Sequence, residues 1–250
     1  MRRVGVFLVL CLNLLALTAT TRTEPDGPTR YSSAPIGGTD YPWNMFHHDS
    51  LRSGATLASA PSTSALMWTY DTGATIYSSP AVADGTVYIS NYNSAANTGS
   101  LYAIDEYTGQ PKWSYPTSGP IYSSPAVSTG IVYLASRDGY LRALNQQTGQ
   151  LLWQAGSPNF PITSSPAVAN GKIFYGTWCQ AALCFQAGQF VARDATTGSL
   201  LWPNATVPDA AVVSSPSVHN GRVFFGQNDG SVLALDETSG ALIWRAATGG

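Results

Sequence analysis

One pattern occurs four times in this chain, and it constrains the fold more than any other feature. The pattern is A-x-[D/N]-x-x-[T/S]-G-x-x-x-W, and its copies begin at residues 103, 143, 192 and 234 with identical internal spacing. A second marker, Ser-Ser-Pro, precedes each copy, at residues 78–80, 123–125, 164–166 and 214–216. Two independent markers with one shared period of about 40 to 50 residues indicate a repeat architecture.

Each repeat divides into four short strands that are separated by turn residues. In the second repeat the strands are predicted at residues 121–127, 131–136, 140–144 and 151–155. The first connection is Asp-Gly or Asn-Gly in three repeats and Thr-Gly in the other, and Asp-Gly and Asn-Gly supply the positive φ angles of a two-residue hairpin. Repeated four-stranded antiparallel units predict an all-β propeller, with blades at about residues 76–115, 121–155, 162–203 and 212–246.

The composition favours strands and turns over helices. Charged residues make up 10% of the chain, against roughly a quarter in an average soluble domain. Gly and Pro number 24 and 16, which disfavours a helical bundle or a coiled coil. The formal net charge is −2, so the chain has no basic footprint, and we expect no nucleic-acid partner.

The N-terminus has the features of a secretory signal. Arg2 and Arg3 precede an apolar run, and small residues follow, so that residues 1–19 are predicted to be removed by cleavage near Ala19. The run is short for a membrane span, although a retained anchor stays open as an alternative. Residues 20–40 are rich in Pro, Gly, Ser and Thr and are predicted to be a linker. We therefore expect a secreted or extracytoplasmic protein without stable membrane insertion.

The repeats resemble the pyrroloquinoline-quinone-like (PQQ-like) β-propeller repeat. That repeat occurs in quinoprotein alcohol dehydrogenases, in polyvinyl-alcohol dehydrogenases and in the propeller lipoprotein of the bacterial barrel-assembly machinery. The segment YPWNMFHHDSLRSG, residues 41–54, is similar to the lead-in that often precedes such blades, and the likeness covers about residues 41–250. Catalytic and non-catalytic members share the repeat, so the resemblance is specific for the fold and not for the function.

In that family, the tryptophan that ends each pattern stacks on the glycine region of the neighbouring blade. A flat indole ring covers a peptide plane that only glycine leaves bare, while its N–H finds a carbonyl. Trp68 has the ring but lacks the full pattern upstream. The resemblance implies that the blades dock through Trp68, Gly109, Trp113, Gly149, Trp153, Gly198, Trp202, Gly240 and Trp244.

The repeat count leaves one strand without partners. Residues 66–70 match the outermost strand of a blade, but its three inner strands are missing upstream. Residues 41–70 are therefore predicted as a lead-in with an orphan outer strand, and 71–250 as four blades of an incomplete propeller of about seven or eight. An open arc, and two arcs that close into one ring as a homodimer, remain as alternatives.

The loops that vary in length share one face of the predicted propeller. Consecutive antiparallel strands send their connections to opposite ends, so the second connections and the links between blades lie together. Two of these loops, at residues 91–99 and 177–189, are long. Variable loops on a rigid scaffold are common binding sites, although loop length also drifts without function. The candidate site is this face, near the first serine of each Ser-Ser-Pro: Ser78, Ser123, Ser164 and Ser214.

Few residues suggest other chemistry. Cys179 and Cys184 fall in the longest loop and are predicted to form a disulfide. His47, His48 and Asp49 lie in the lead-in, which favours surface packing over a metal site. Asn204 begins an Asn-Ala-Thr glycosylation sequon, which matters only in a eukaryotic host.

The sequence contains no arrangement that is typical of a catalytic site. Its three glutamates, Glu24, Glu106 and Glu237, lie in the linker and in two repeat patterns, and no acidic cluster falls on the loop-rich face. A catalytic site is therefore either absent or in missing blades, and we expect no catalytic residues and no metal site in this sequence. We expect a secreted module that binds or scaffolds a protein or a surface polymer. The rival hypotheses are a fragment of a PQQ-dependent alcohol dehydrogenase, which would need PQQ and calcium, and the ectodomain of a larger extracellular sensor.

Overall fold

The computed structural model describes residues 43–53, 66–179, 188–202 and 210–249. Within these ranges every regular element is a β-strand, and none of the described residues forms a helix with the length and apolar character of a membrane span. The strands are β1 (Ala81–Ala83), β2 (Thr86–Asn93), β3 (Thr98–Asp105), β4 (Pro111–Thr117), β5 (Ala126–Ser128), β6 (Ile131–Ala135), β7 (Tyr140–Asn145), β8 (Leu151–Gly156), β9 (Ala167–Ala169), β10 (Lys172–Gly176), β11 (Phe190–Asp194), β12 (Ser217–His219), β13 (Arg222–Gly226), β14 (Ser231–Asp236) and β15 (Leu242–Ala247).

The strands form four antiparallel sheets, each built from strands that are consecutive in the chain. We call β1–β4 blade 1, β5–β8 blade 2, β9–β11 blade 3 and β12–β15 blade 4. The first strands of successive blades contact one another, β1 with β5, β5 with β9 and β9 with β12. This arrangement confirms the prediction of all-β propeller blades.

The first hairpin of each blade has the backbone that its sequence predicts. Both central residues have positive φ in all four turns, for example +49° at Asp84 and +66° at Gly85. Positive φ at both positions is the type I′ geometry, which matches the right-handed twist of the flanking strands. Thr129, which is less suited to this conformation than Asn or Asp, adopts the same φ of +50°, because the surrounding blade fixes the turn.

Three predicted strands differ from those observed. The first strand of blade 2 covers only Ala126–Ser128, because the residues before it bond through serine side chains and Pro125 has no N–H. Blade 3 is a three-stranded sheet within the described residues, where the fourth position is reduced to the bridge between Arg193 and Leu200. Residues 66–70 lie in no strand, since the described part of the chain offers them no inner strand to pair with.

The hydrophobic core lies between the blades. Three clusters of buried side chains each join two consecutive blades, and Met45 from the lead-in completes the cluster between blades 2 and 3. Tyr133 is fully buried there and donates its hydroxyl to the carbonyl of Ala195 in blade 3 (3.0 Å). Burial, and then the nearby Asp194 charge, raise the pKa of Tyr133 to about 12, so the phenol stays a donor.

A tryptophan lies on a glycine at every interface between described blades. A Cβ placed on Gly149 would lie 2.7 Å from the Trp113 indole, so no other residue fits without moving the ring. The Trp113 Nε1–H donates to the carbonyl of Gln146 (3.0 Å). The same contact joins Trp153 to Gly198, Trp202 to Gly240 and the N-terminal Trp68 to Gly109.

The turn before each of these glycines is closed by an Asp or Asn side chain. Asp105 Oδ1 accepts hydrogen bonds from the backbone N–H groups of Tyr107 and Thr108 and from the Thr108 hydroxyl. These bonds, with that to the Thr108 N–H the largest cause, lower the pKa of Asp105 to about 2. Asn145 accepts the equivalent bonds without a charge, so the turn requires an acceptor rather than an anion.

Residues 43–53, the hub segment, run across the first strands of the blades. In blades 1, 2 and 4 the middle residue of the first strand donates its N–H to a hub carbonyl: Val82 to Trp43 (2.5 Å), Val127 to Asn44 (2.6 Å) and Val218 to Ser50 (2.7 Å). The innermost strands would otherwise present unpaired N–H groups. The hub segment therefore replaces the missing neighbour of these strands.

Arg52 connects the hub segment to blades 3 and 4. Its Nε donates to the carbonyl of Pro216 (2.9 Å), and its Nη2 donates to those of Ser165 (3.1 Å) and Pro166 (3.2 Å). Burial lowers the pKa of Arg52 to about 10, which leaves the guanidinium charged at neutral pH. The four blades are thus held at their inner edge by one short segment.

We predict that Gly149→Ala lowers the free energy of unfolding by about 2–4 kcal/mol, because the methyl group meets the Trp113 ring and φ is +69°. Gly171→Ala is the matched control, since Gly171 has a φ of +71° with nothing within 4 Å of an added Cβ, and it should cost only about 1 kcal/mol. Urea unfolding measures both. Equal losses would contradict the tight contact.

We also predict that Arg52→Met lowers the free energy of unfolding by about 2–4 kcal/mol, because buried carbonyl oxygens lose a charged donor. The control is Arg222→Met on an exposed arginine of β13, which should change stability by less than about 0.5 kcal/mol. Thermal and urea unfolding give the comparison. If the two variants are equally stable, the hub segment does not tie the blades together.

Candidate functional site

Ser78, Ser123 and Ser164 are buried, and the hydroxyls of all four predicted serines are engaged within the blades. Each donates to the carbonyl of the residue twelve positions later on the second strand of its own blade. The bonds run from Ser78 to Ser90 (2.9 Å), Ser123 to Ala135 (2.6 Å), Ser164 to Gly176 (2.9 Å) and Ser214 to Gly226 (2.9 Å). These four serines, near which the candidate site was expected, therefore have a structural role, because their donors are already used.

The second serine of each Ser-Ser-Pro connects one blade to the next. The backbone N–H of Ser79 donates to Ser124 Oγ (2.8 Å), that of Ser124 to Ser165 Oγ (2.9 Å), and that of Ser165 to Ser215 Oγ (3.0 Å). These bonds fix the height of the blades relative to one another. The backbone on this face is consequently the same in all four blades.

Two sets of side chains project from this repeated backbone. The pre-serine positions, directly before each Ser-Ser-Pro, hold Tyr77, Tyr122, Thr163 and Val213. The exit positions, fourteen residues after the first serine, hold Tyr92, Arg137, Trp178 and Asn228. The backbone N–H of every exit residue donates to the carbonyl two residues before the pre-serine position, at 2.7 to 3.1 Å. The backbone is constant here while the side chains differ in size, polarity and charge.

These side chains form a continuous aromatic row across blades 1 to 3. The rings of Tyr77, Tyr92 and Tyr122 contact one another, with centroids 5.2 to 6.2 Å apart. The Arg137 guanidinium then lies 5.4 Å from the Tyr122 ring and 5.0 Å from the Trp178 ring. Tyr77 is 60% exposed, so the row is open to solvent at the blade 1 end.

A cavity of about 520 Å³ opens at the other end of the row. It is lined by Tyr122, Arg137, Thr163, Trp178 and Val213, and so draws on blades 2, 3 and 4. The pocket is open to solvent over most of its boundary. Within the described residues, the buried Trp178 Nε1 and Thr163 Oγ1 atoms have no hydrogen-bond partner.

The charge of Arg137 is not neutralised by its neighbour. Asp138 is engaged by Arg142 in a bidentate pair at 3.0 and 2.7 Å, and both side chains are buried. In the part of the chain that the structure describes, the Arg137 guanidinium makes cation–π contacts but no hydrogen bond or ion pair. The cavity wall therefore carries an uncompensated cation.

Several residues singled out in the sequence lie away from the aromatic row and its pocket, or outside the described ranges. The His47 ring packs on the Phe46 ring and the His48 ring on the Trp43 ring, with centroids 4.2 and 5.1 Å apart. The Asp49 carboxylate accepts hydrogen bonds from the backbone N–H and the hydroxyl of Ser53. Trp244 is 39% exposed and packs on Phe224 of its own blade. The signal at residues 1–19, the linker, Cys184 and Asn204 are not among the described residues, so the cleavage site, the Cys179–Cys184 disulfide and the glycosylation remain predictions.

The site residues Tyr122, Arg137 and Trp178 were not found from the sequence. The sequence does contain one signal for them. The Ser-Ser-Pro residues are the same in every repeat, whereas the residue directly before them and the residue fourteen positions after the first serine vary. That contrast indicates where side chains are free of the scaffold. It does not show that positions from three blades converge on one cavity, which depends on the arrangement of the blades.

The repeats match a known family. The family model described as outer membrane protein assembly factor BamB matches residues 52–177 and 137–250. A comparison with curated protein sequences finds no match.

Solved structures share the fold at low sequence identity. BamB from Moraxella catarrhalis has a TM-score of 0.57 and 19% identity, and the match covers 72% of this chain and 51% of that protein. Quinohemoprotein alcohol dehydrogenase from Comamonas testosteroni has a TM-score of 0.69 and 20% identity over 83% and 41%. A europium-containing methanol dehydrogenase has a TM-score of 0.67 and 16% identity over 82% and 48%.

The chain thus spans about half or less of the length of these relatives. They are BamB and two dehydrogenases, so the shared fold does not select between binding and catalysis. The family match extends over most of the chain, and it agrees with the sequence resemblance and with the observed blades. The chain belongs to the PQQ-like β-propeller repeat family described by the BamB model.

Proposed function

We propose that this chain is a secreted, non-catalytic β-propeller module that binds or scaffolds a protein or a surface polymer through its loop-rich face. The observation that carries the proposal is the row from Tyr77 to Trp178, where variable side chains project from a backbone that is the same in every blade. A rigid scaffold with a variable surface is typical of binding modules. Exposed aromatic and arginine side chains are also the residues that dominate binding energy at interfaces.

An extracytoplasmic location is part of this proposal. The predicted signal at residues 1–19 supports it, as does the family match to an outer membrane protein assembly factor. A protein partner is consistent with the same match. Two copies of the chain that close into one ring are the alternative partner, and self-association of the purified chain would point to it.

The rival hypothesis requires a calcium ion held beside PQQ. Calcium is held by several oxygen ligands, and no group of three or more His, Cys, Asp or Glu side chains comes together in residues 43–53, 66–179, 188–202 or 210–249. We therefore derive no catalytic step through PQQ or calcium.

Photo-crosslinking in the producing cells tests this function. A photoreactive amino acid is placed at Tyr77 or Val213 on the loop-rich face, and at Tyr107 on the opposite face as the control, all three being exposed. We predict discrete adducts from positions 77 and 213, because these side chains face the partner, and none from position 107. Adducts of equal yield from both faces, or from position 107 alone, would contradict the proposal.

An alcohol oxidation assay on the same protein distinguishes binding from catalysis. With PQQ and calcium added, a dehydrogenase would oxidise alcohols and reduce an artificial electron acceptor. We expect no turnover above that of free PQQ. Saturable turnover that requires the protein would support the dehydrogenase hypothesis instead.

A further inference from the structure

The face of blade 4 that points away from blade 3 carries a docking tryptophan without a neighbouring blade. In every blade this ring packs on an aromatic residue of the second described strand, with centroids 5.4 to 6.1 Å apart. In blades 1 to 3 that residue is buried at the interface with the next blade, at 1% exposure or less for Tyr88, Tyr133 and Phe174. Its counterpart Phe224 in blade 4 is only half-buried, and Trp244 is 39% exposed. Blade 4 thus presents the surface that the other blades bury.

Blade 1 carries the matching glycine at the other end of the row of blades. Gly109 has a φ of +70°, and the described part of the chain places no other blade against it. The Trp68 ring covers it instead and donates its Nε1–H to the carbonyl of Glu106 (2.7 Å). Residues 66–70 lie in no strand, and Leu66 and Met67 are 70% and 75% exposed. Trp68 is therefore a substitute, on a largely exposed segment, for the tryptophan of a neighbouring blade.

The serine bonds between blades are also incomplete at these two ends. From blade 1 to blade 4, the backbone N–H of each second serine donates to the hydroxyl oxygen of the next one. Within the described residues, the Ser215 N–H has no acceptor and the Ser79 Oγ has no donor. The two ends of the row are thus complementary, because one end offers what the other end needs.

The first hairpin of a blade also meets the next blade, and the residues on the two sides match in polarity. The hairpin contacts the residue that follows the Asp or Asn of the repeated pattern. Between blades 1 and 2, the Gln146 amide donates to the Asp84 carboxylate (2.8 Å). Between blades 2 and 3, the hairpin residue Ile131 packs in one apolar cluster with Ala195. The residue at this position therefore reports which hairpin the blade accepts.

Blade 4 repeats the acid-binding hairpin of blade 3. Asn170 donates to both carboxylate oxygens of Glu237 in blade 4 (3.0 and 3.1 Å), and Lys172 donates to one of them (3.0 Å). The equivalent residues of the blade 4 hairpin are Asn220 and Arg222, again an amide and a cation. Both are exposed, and in the described part of the chain their side chains have no hydrogen-bond or ion-pair partner. This hairpin therefore fits a blade with an acid at the position of Glu237.

Blade 1 carries that acid. Its residue at this position is Glu106, whereas blades 2 and 3 have Gln146 and Ala195 there. The same blade holds the glycine that Trp244 would cover and the serine hydroxyl that would complete the series of serine bonds. Three separate requirements of the blade 4 face are thus met by one blade of this chain.

We propose that blade 4 docks onto blade 1 of a second copy of this chain, where Trp244 takes the place of Trp68 on Gly109. The hairpin–acid pair and the serine bond form in the same contact. The contact is head-to-tail, so two copies can make it twice and close a ring. Such a ring contains eight blades, within the range of known propellers. In the single chain, Trp68 covers the docking position until a second copy displaces it.

Light scattering on the purified chain over a range of concentrations tests the contact. We expect the mass to rise from one chain to two, and Trp244→Ala to weaken the association by at least about tenfold, since a buried tryptophan contributes strongly at an interface. Tyr107→Ala is the control, because Tyr107 is an exposed aromatic residue whose counterparts Gln147 and Thr196 stay exposed in docked blades. A single chain at every concentration, or a dimer that Trp244→Ala leaves intact, would overturn the proposal.

The variant Trp68→Ala distinguishes exchange from a general loss of structure. It also removes a docking tryptophan, but it uncovers Gly109, so it should strengthen the association by about tenfold. The gain should vanish in a chain that also carries Trp244→Ala. If Trp68→Ala leaves the association unchanged or weakens it, a second copy does not replace Trp68 and the proposal is wrong.

A charge exchange identifies the partner of the blade 4 hairpin. Arg222→Glu places two acids together and should weaken the association by at least about tenfold. Adding Glu106→Arg to the same chain should restore it. Arg222 is exposed in the single chain, so the stability of a chain too dilute to associate should stay unchanged. Failure of the second substitution to restore the dimer would exclude the contact with blade 1.

This inference does not depend on what the loop-rich face binds, and the two fail separately. Light scattering of the purified chain reports the contact between copies without any other molecule. In the crosslinking experiment, an adduct of two copies from position 77 or 213 supports this contact, since these residues lie beside the serines at the two ends of the row. An adduct with a different molecule supports the proposed function, whether or not the chain associates with itself.

Discussion

The indole ring on a bare glycine is the interaction on which the rest of this structure depends. A blade is a small sheet, and it becomes part of a propeller only if its flat faces are held against the next blade at a fixed angle. The ring of Trp113 covers Gly149 and its N–H bonds to a main-chain carbonyl, so apolar contact and direction come from one side chain. The same contact occurs at each interface between described blades.

Hydrogen bonds, rather than ring contacts, fix the first strands of the blades and their loop-rich face. The hub segment supplies carbonyls to the first strands, and the serine pairs bond each blade internally and to its neighbour. Because the repeated residues determine the backbone, the side chains at the pre-serine and exit positions are not needed to hold the blades together. This separation explains why a cation, three tyrosines and a tryptophan can occupy one face without disturbing the blades.

The sequence predicted what the repeats determine locally. The type I′ hairpins follow from residue pairs such as Asp84-Gly85, and the blades follow from the period of the pattern. The role of Ser123 was not predictable, because a hydroxyl that recurs beside a channel suggests a ligand as readily as a bond to the carbonyl of Ala135 on the second strand of the blade. The outer strand of blade 3 and residues 66–70 differ from the prediction, since strand pairing depends on partners that a local pattern does not specify. The cavity was out of reach because Tyr122, Arg137 and Trp178 meet only after three blades have packed.

We propose that the loop-rich face binds a partner while the repeated residues only hold the blades together, and a variant of that face separates the two roles. The triple variant Tyr77→Ala, Tyr122→Ala, Arg137→Ala truncates three side chains of the aromatic row and leaves every tryptophan and glycine that docks the blades in place. We predict that the free energy of unfolding of this variant stays within about 1 kcal/mol of the wild-type value, while the crosslink from position 213 in cells disappears. A variant that unfolds early, or one that keeps the crosslink at full yield, would contradict the claim.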